Sequence, residues 1–204
     1  MTSDVMVSPV MASQINGEKP YAVELYAASN ASYNGLYYST SGSYATITGY
    51  DGQSTDIVIP DKIGSYTVNA IQYGAFKDNN KITSVKIPST VTQIGNSYGS
   101  GAFENCANLK SVSIAAGAET AYIGNATFKD CTSLEEITVP GNYTTIYSDA
   151  FRGCRSLKKF VYNDNGISRK IQNRAFYECT SLVSLSLPTS LNLSLIHISE
   201  PTRH

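Results

Sequence analysis

Residues 102–114 read AFENCANLKSVSI. The same pattern returns as AFKDNNKITSVKI at 75–87, TFKDCTSLEEITV at 127–139, AFRGCRSLKKFVY at 150–162 and AFYECTSLVSLSL at 175–187. Aligning the five copies puts Phe76, Phe103, Phe128, Phe151 and Phe176 in one column. Ala precedes four of them, with Thr127 the exception. Asn79, Cys106, Cys131, Cys154 and Cys179 follow three residues later. Ile82, Leu109, Leu134, Leu157 and Leu182 come next, and then two apolar residues at alternate positions, such as Val112 and Ile114. A fixed-period self-similarity of this kind marks a stacked repeat array.

The spacing separates a fixed arm from a variable one. The distance from Phe to the last strand residue is 11 in every copy, while the Phe-to-Phe steps are 27, 25, 23 and 25. The surplus falls at Asn96–Gly101, Ala115–Ala121 and Asn163–Ser168. A solenoid tolerates insertions along one arc because loops grow outward without disturbing the stacked core. The alternation at the end of each copy predicts a short strand with Val112 and Ile114 inward and Ser111 and Ser113 outward. One turn cannot bury its Phe, Leu and Ile alone, so neighbours must cover it on both sides. The fold expected is an α/β solenoid: a parallel β-sheet on one face, and short helical turns and loops on the other. The Ala-Phe-x-x-Cys segments form the turns, with Asn125, Ser148 or Asp149 as caps.

An isoleucine precedes each Phe (Ile71, Ile94, Ile123, Ile146 and Ile171). Upstream, Ile57-Val-Ile-Pro60 matches the strand end, and residues 34–38 are predicted to pair with 44–48 through a turn at Ser39–Ser43. The division expected is an extension or linker over 1–33, opening strands over 34–70, about five repeats over 71–192, and a tail over 193–204. The tail residues Leu193–Arg203, LSLIHISEPTR, resemble translated sequencing-adapter DNA and are set aside as non-native. Both histidines, His197 and His204, lie there, so the rest of the chain has none.

The pattern A-F-x-x-C-x-x-L-x-x-I-x-I-P resembles the BspA-type leucine-rich repeat family over roughly residues 35–192. Asn79, Thr127 and Tyr162 are local departures from it. The resemblance implies a surface or secreted protein of bacteria or protists. In that family some members adhere to host matrix proteins or to other cells. Localisation is accordingly expected to be extracellular or at the cell surface.

Composition narrows the function further. The chain has 204 residues, 15% charged, with 15 Lys and Arg against 16 Asp and Glu, for a net charge of −1. That offers no electrostatic basis for nucleic acid binding, and no apolar run reaches the ~18 residues of a membrane helix. The four cysteines fall one per repeat in one column. They read as a ladder of small buried thiols, because zinc sites use close Cys pairs and often His. Glu135 and Glu136 are strand neighbours facing opposite ways and do not converge as a glycosidase pair must. With no histidine outside the tail there is no Ser-His-Asp or Cys-His arrangement. The expectation is no catalytic residue, no cofactor and no metal.

Candidate binding residues are the outward strand positions: Ser84, Lys86, Ser111, Ser113, Glu136, Thr138, Lys159, Val161, Ser184 and Ser186. A second candidate is a basic patch on one repeat, formed by Arg152, Arg155, Lys158, Lys159, Arg169, Lys170 and Arg174. The partner expected is a protein ligand, with host extracellular matrix the leading class. A structural spacer that presents another domain is the alternative.

Overall fold

The computed structural model describes residues 31–193. The extension before Ala31 and the adapter-like stretch after Leu193 lie outside the described residues. The chain opens with an antiparallel unit, β1 (Ala31–Tyr33), β2 (Leu36–Ser41) and β3 (Tyr44–Tyr50). Asn34 and Gly35, at φ 49° and 80°, join β1 to β2. Two successive left-handed residues make the type I′ connection whose twist suits a hairpin. β2 and β3 then pair as expected, through Gly42 and Ser43.

The strands that follow are β4 (Asp56–Val58), β5 (Lys62–Ile63), β6 (Tyr66–Ile71), β7 (Ser84–Ile87), β8 (Gln93–Ile94) and β9 (Ser111–Ile114). After them come β10 (Ala121–Ile123), β11 (Glu136–Val139), β12 (Tyr143–Ile146), β13 (Lys159–Tyr162), β14 (Arg169–Ile171), β15 (Ser184–Ser186) and β16 (Leu191–Leu193). Apart from β5, which pairs antiparallel with β6, they sort into two parallel sheets. One runs β15-β13-β11-β9-β7-β4 and carries the predicted strand columns. The other runs β3-β6-β8-β10-β12-β14-β16, with β2 and β1 added antiparallel at its edge. The strand β4 belongs to the first sheet, so the array has six turns.

The second sheet was not anticipated as a sheet. Its strands carry the isoleucine column, with Ile71 paired to Ile94, Ile123 to Ile146, and Ile146 to Ile171. Beyond β6 its strands β8, β10, β12 and β14 have two to four residues, too few to display a period, yet all five isoleucines are buried. The core lies between the two sheets and the arc of turns that holds the Phe column. Phe76, Phe103, Phe128, Phe151 and Phe176 stack with centroid spacings of 4.7, 5.5, 5.4 and 5.6 Å. The rings are within 15° of parallel, as offset stacking favours.

The expected helical turns are absent: among the described residues there is no helix. The residue two after each Phe is left-handed, namely Asp78, Asn105, Asp130, Gly153 and Glu178 at φ 58–73°. Asp149, proposed as a cap, is itself left-handed at φ 56°. A left-handed residue ends a right-handed helix, and alternate amides of the arc turn toward the next turn of the solenoid. Phe76 N donates to Ala102 O (2.8 Å), Phe103 N to Thr127 O (2.8 Å) and Phe128 N to Ala150 O (2.7 Å). Amides committed between turns cannot close helical hydrogen bonds within one.

Each departure from the repeat has a physical reason. Thr127 is buried, and its hydroxyl lies 2.8 Å from Gly124 O and 3.1 Å from Ile94 O, so it has an acceptor. The Tyr162 hydroxyl donates to Tyr143 O across the core. Asn79 stands at the half-buried start of the Cys column, where no earlier Phe carbonyl exists for a thiol to meet.

Candidate interaction surface

The outward positions of the first sheet form two rows fixed by the strand register. Asp56, Ser84, Ser111, Glu136, Lys159 and Ser184 are aligned in one, and Val58, Lys86, Ser113, Thr138, Val161 and Ser186 in the other. Lys86, Ser111, Ser113, Glu136, Thr138, Lys159, Ser184 and Ser186 are exposed, and Ser84 and Val161 half-buried. The alternation read from the sequence thus places all ten side chains on one face. Ser84 is already engaged, since its hydroxyl donates to Asp56. That hydrogen bond, with Lys86 nearby, holds the Asp56 carboxyl below its ordinary value.

One residue earlier in each turn lies a further row, of which the sequence reading names Glu135 and Lys158 in other roles and does not single out Lys110. Lys110, Glu135 and Lys158 alternate in sign on successive turns, and Lys158 Nζ reaches Glu135 at 2.8 Å. Hydrogen bonding to Lys158 lowers the Glu135 carboxyl, with Lys110 contributing charge. These residues and Ser111, Glu136 and Lys159 border a shallow groove of about 300 Å³ at the start of the strands. The column alignment contained this signal, at the position just after each Leu. The expected opposition of Glu135 and Glu136 does not hold: Glu135 precedes β11, and both residues are exposed at the same groove.

The basic patch does not form as a patch. One turn wraps the whole circumference of the solenoid, so residues close in sequence point in different directions. Acids from the same and adjacent turns then meet them. Arg152 and Arg174 pair with Asp149 at 3.8 and 2.8 Å, Arg155 with Glu178 at 3.4 Å, and Lys158 with Glu135. Lys159 lies on the first sheet's face and exposed Lys170 on the second sheet. Arg169 is fully buried. Its guanidinium donates to Asp164, Ile167 O, Ser190, Gly141 O and Asn165, and it lies 5.4 Å from the Tyr162 ring centroid. The inserted residues 163–168 fold over it, so Arg169 fastens that loop and offers nothing to a partner.

The thiol column is a structural ladder. Cys106, Cys131, Cys154 and Cys179 are buried and unpaired. Each Sγ donates to the Phe carbonyl of the preceding turn at 3.0–3.1 Å. Burial pushes Cys106 and Cys179 up to about 12, and Cys131 and Cys154 well above their ordinary value. Neutral, enclosed thiols do not react as nucleophiles. A chromogenic disulfide at about pH 8 should therefore leave the native protein unlabelled and label all four cysteines after denaturation. Rapid native labelling would contradict the burial.

On the arc of turns, Glu104 bridges Lys77 at 3.2 Å and Lys129 at 2.9 Å. Burial alone would raise its carboxyl; the hydrogen bonds from Lys129, Lys77 and the Gly101 N–H outweigh this and hold it below 4.5. A depressed carboxylate adds stability above its unfolded value and loses it as pH falls through the folded one. Relative to Glu104→Gln, the parent should be more stable by about 1 kcal/mol at neutral pH. That advantage should shrink to nothing on acidification below 4.5. Thermal melts of both proteins across pH 3–7 would show it; a pH-independent difference would exclude the ion-pair origin.

The sequence profile described as BspA type leucine rich repeat region, in 6 copies, matches residues 50–169 and 96–197. No curated protein matches the chain in sequence. Among solved structures, a leucine-rich repeat protein from Bacteroides ovatus is 29% identical with a TM-score of 0.65, over 79% of this chain and 42% of that one. A leucine rich cell surface protein from Faecalibacterium prausnitzii is 25% identical with a TM-score of 0.58, over 81% of this chain and 39% of that one. A leucine-rich repeat protein from Bacteroides capillosus is 27% identical with a TM-score of 0.56, over 65% of this chain and 97% of that one. This chain therefore spans about two-fifths of the Bacteroides ovatus and Faecalibacterium proteins. Among the described residues no helix is long and apolar enough to cross a membrane, and no cluster could hold a metal ion.

Proposed function

Because the chain belongs to the BspA-type leucine-rich repeat family, we propose that it is a non-enzymatic protein-interaction module of a larger cell-surface or secreted repeat protein. Its ligand is a protein, with host matrix or cell-surface proteins the favoured class. The observation that carries this reading is the outward face of the first sheet. Two straight rows of mostly polar side chains, with Asp56, Lys86, Glu136 and Lys159 the charged members and Val58 and Val161 the apolar ones, span successive turns at the spacing of paired strands. Large aromatic anchors are missing from those rows, so each contact is weak, and affinity grows with the number of turns engaged. The cell-surface description of the Faecalibacterium relative supports the location.

The test is binding of the purified chain to immobilised fibronectin, laminin and collagen. Combined Lys86→Ala, Glu136→Ala and Lys159→Ala substitutions should abolish the signal while leaving the melting temperature unchanged. Binding no stronger than to serum albumin would count against the reading. The smallness of the face, with serine at five of ten positions, favours a spacer as the second reading. In that case adhesion by the parent protein survives the triple substitution and fails only when the array is shortened.

A further inference from the structure

A cleft of about 620 Å³ lies away from the rows just described, where each turn passes from the first sheet to the second. Four successive turns line it: Tyr44 on β3, Thr67 and Asn69 on β6, the bend of Ser89, Thr90 and Thr92, and the loop Ala118–Thr120. That loop contains the two-residue surplus of the sequence, so a departure from the regular repeat builds one wall. The wall is fixed rather than incidental. Asn142, itself buried, donates to Glu119 O at 3.0 Å and accepts from Gly117 N at 3.3 Å. Gly117 approaches so closely that a Cβ there would sit 2.3 Å from Ser89 O.

The lining chemistry is uniform. It presents hydroxyls from Thr67, Ser89 and Thr120, the Asn69 carboxamide, the Glu119 carboxylate and the Tyr44 phenol, with Tyr44 52% exposed. Thr90 Oγ1 is buried and meets no hydrogen-bond partner among the described residues. A buried polar atom without a partner costs about 1–3 kcal/mol, and this one lies beneath the cleft surface, out of reach of a bound ligand. Lys and Arg are both missing from the lining, which argues against phosphate, sulfate or an acidic chain. Carboxylate and carboxamide oxygens accept from paired hydroxyls, threonine methyls and an aromatic face pack on C–H surfaces, and the volume falls in the range of small-molecule sites.

We propose that this cleft binds a neutral saccharide, with Glu119 and Asn69 taking its hydroxyls and Tyr44 one face of the ring. The site is independent of the protein-binding rows. Two-dimensional amide spectra of the intact chain, titrated with glucose, galactose, mannose, N-acetylglucosamine, lactose and cellobiose, provide the test. At least one should bind with a dissociation constant of about 1 mM. It should shift the amides of Asn69, Thr90 and Glu119 and leave Ser113 and Thr138 unmoved.

Tyr44→Ala should weaken binding about tenfold. Thr90→Val should leave binding unchanged while holding or raising the melting temperature, because it removes the buried partnerless hydroxyl and keeps the shape. The triple substitution on the sheet face should leave it unchanged. No shift at ~10 mM with any of the six sugars would overturn the assignment. So would unchanged affinity in Tyr44→Ala, or binding of glucuronate alone.

Discussion

Replacing Phe128 by alanine should lower the free energy of unfolding by about 4 kcal/mol. Phe128 is completely buried at the middle of the ring stack, 5.5 Å from Phe103 and 5.4 Å from Phe151. The loss combines transfer of the ring, the cavity left behind and two aromatic contacts. The cavity cannot collapse easily. The backbone on both sides is tied by the Phe103 N to Thr127 O and Phe128 N to Ala150 O hydrogen bonds, at 2.8 and 2.7 Å. For a chain of this size the shift in melting temperature should be about 12 °C. Urea titrations should show a lower midpoint at an unchanged slope. A loss under about 1 kcal/mol would mean that the ring is not enclosed by its neighbours.

Gly101→Ala should cost about 3 kcal/mol, from one added methyl. A Cβ at Gly101 would lie 1.7 Å from Ala126 O and 2.3 Å from its carbonyl carbon. The obstacle is backbone of the next turn, not a flexible side chain, so relief requires the turns to part. Parting them weakens the Gly74 N to Gly101 O and Ala126 N to Ser148 O hydrogen bonds, which carry the arc from turn to turn. The control is Gly42→Ala, where a Cβ meets nothing within 4 Å. Its cost, limited to the left-handed backbone at φ 58°, should be about 1 kcal/mol. Equal destabilisation by both changes would show that close packing of turns is not the cause.

What could be read in the sequence depended on repetition. Five copies of Phe, Leu and alternating Val and Ile overdetermine the inward side chains of the first sheet, and the outward rows follow by parity. The second sheet offered one isoleucine per turn on strands as short as Gln93–Ile94, so its period had no room to appear. The helical turns failed for a reason that is not local. Glu178 and Arg174 adopt left-handed backbone that neither residue type favours, imposed by hydrogen bonds to adjacent turns.

The Asn34-Gly35 hairpin, in contrast, was legible in principle: the dipeptide is a strong turn signal that was read as strand. Arg169 was misplaced because charge ordinarily implies exposure. Here an inserted loop, together with Gly141 O and Ser190, supplies acceptors for both terminal nitrogens of the guanidinium, while its buried Nε meets none among the described residues. The polar cleft was announced only by a two-residue surplus near Ala115–Ala121; that the surplus forms a wall depends on Gly117 and Asn142 in three dimensions.

The order of the phenylalanine rings is the most direct thing to measure. In a protein labelled selectively at Phe, ring-proton Overhauser contacts should join Phe76 to Phe103, Phe103 to Phe128, Phe128 to Phe151 and Phe151 to Phe176. None should join rings two turns apart. Contacts that skip a turn, or missing contacts between consecutive rings, would contradict the stacked solenoid on which every assignment here rests.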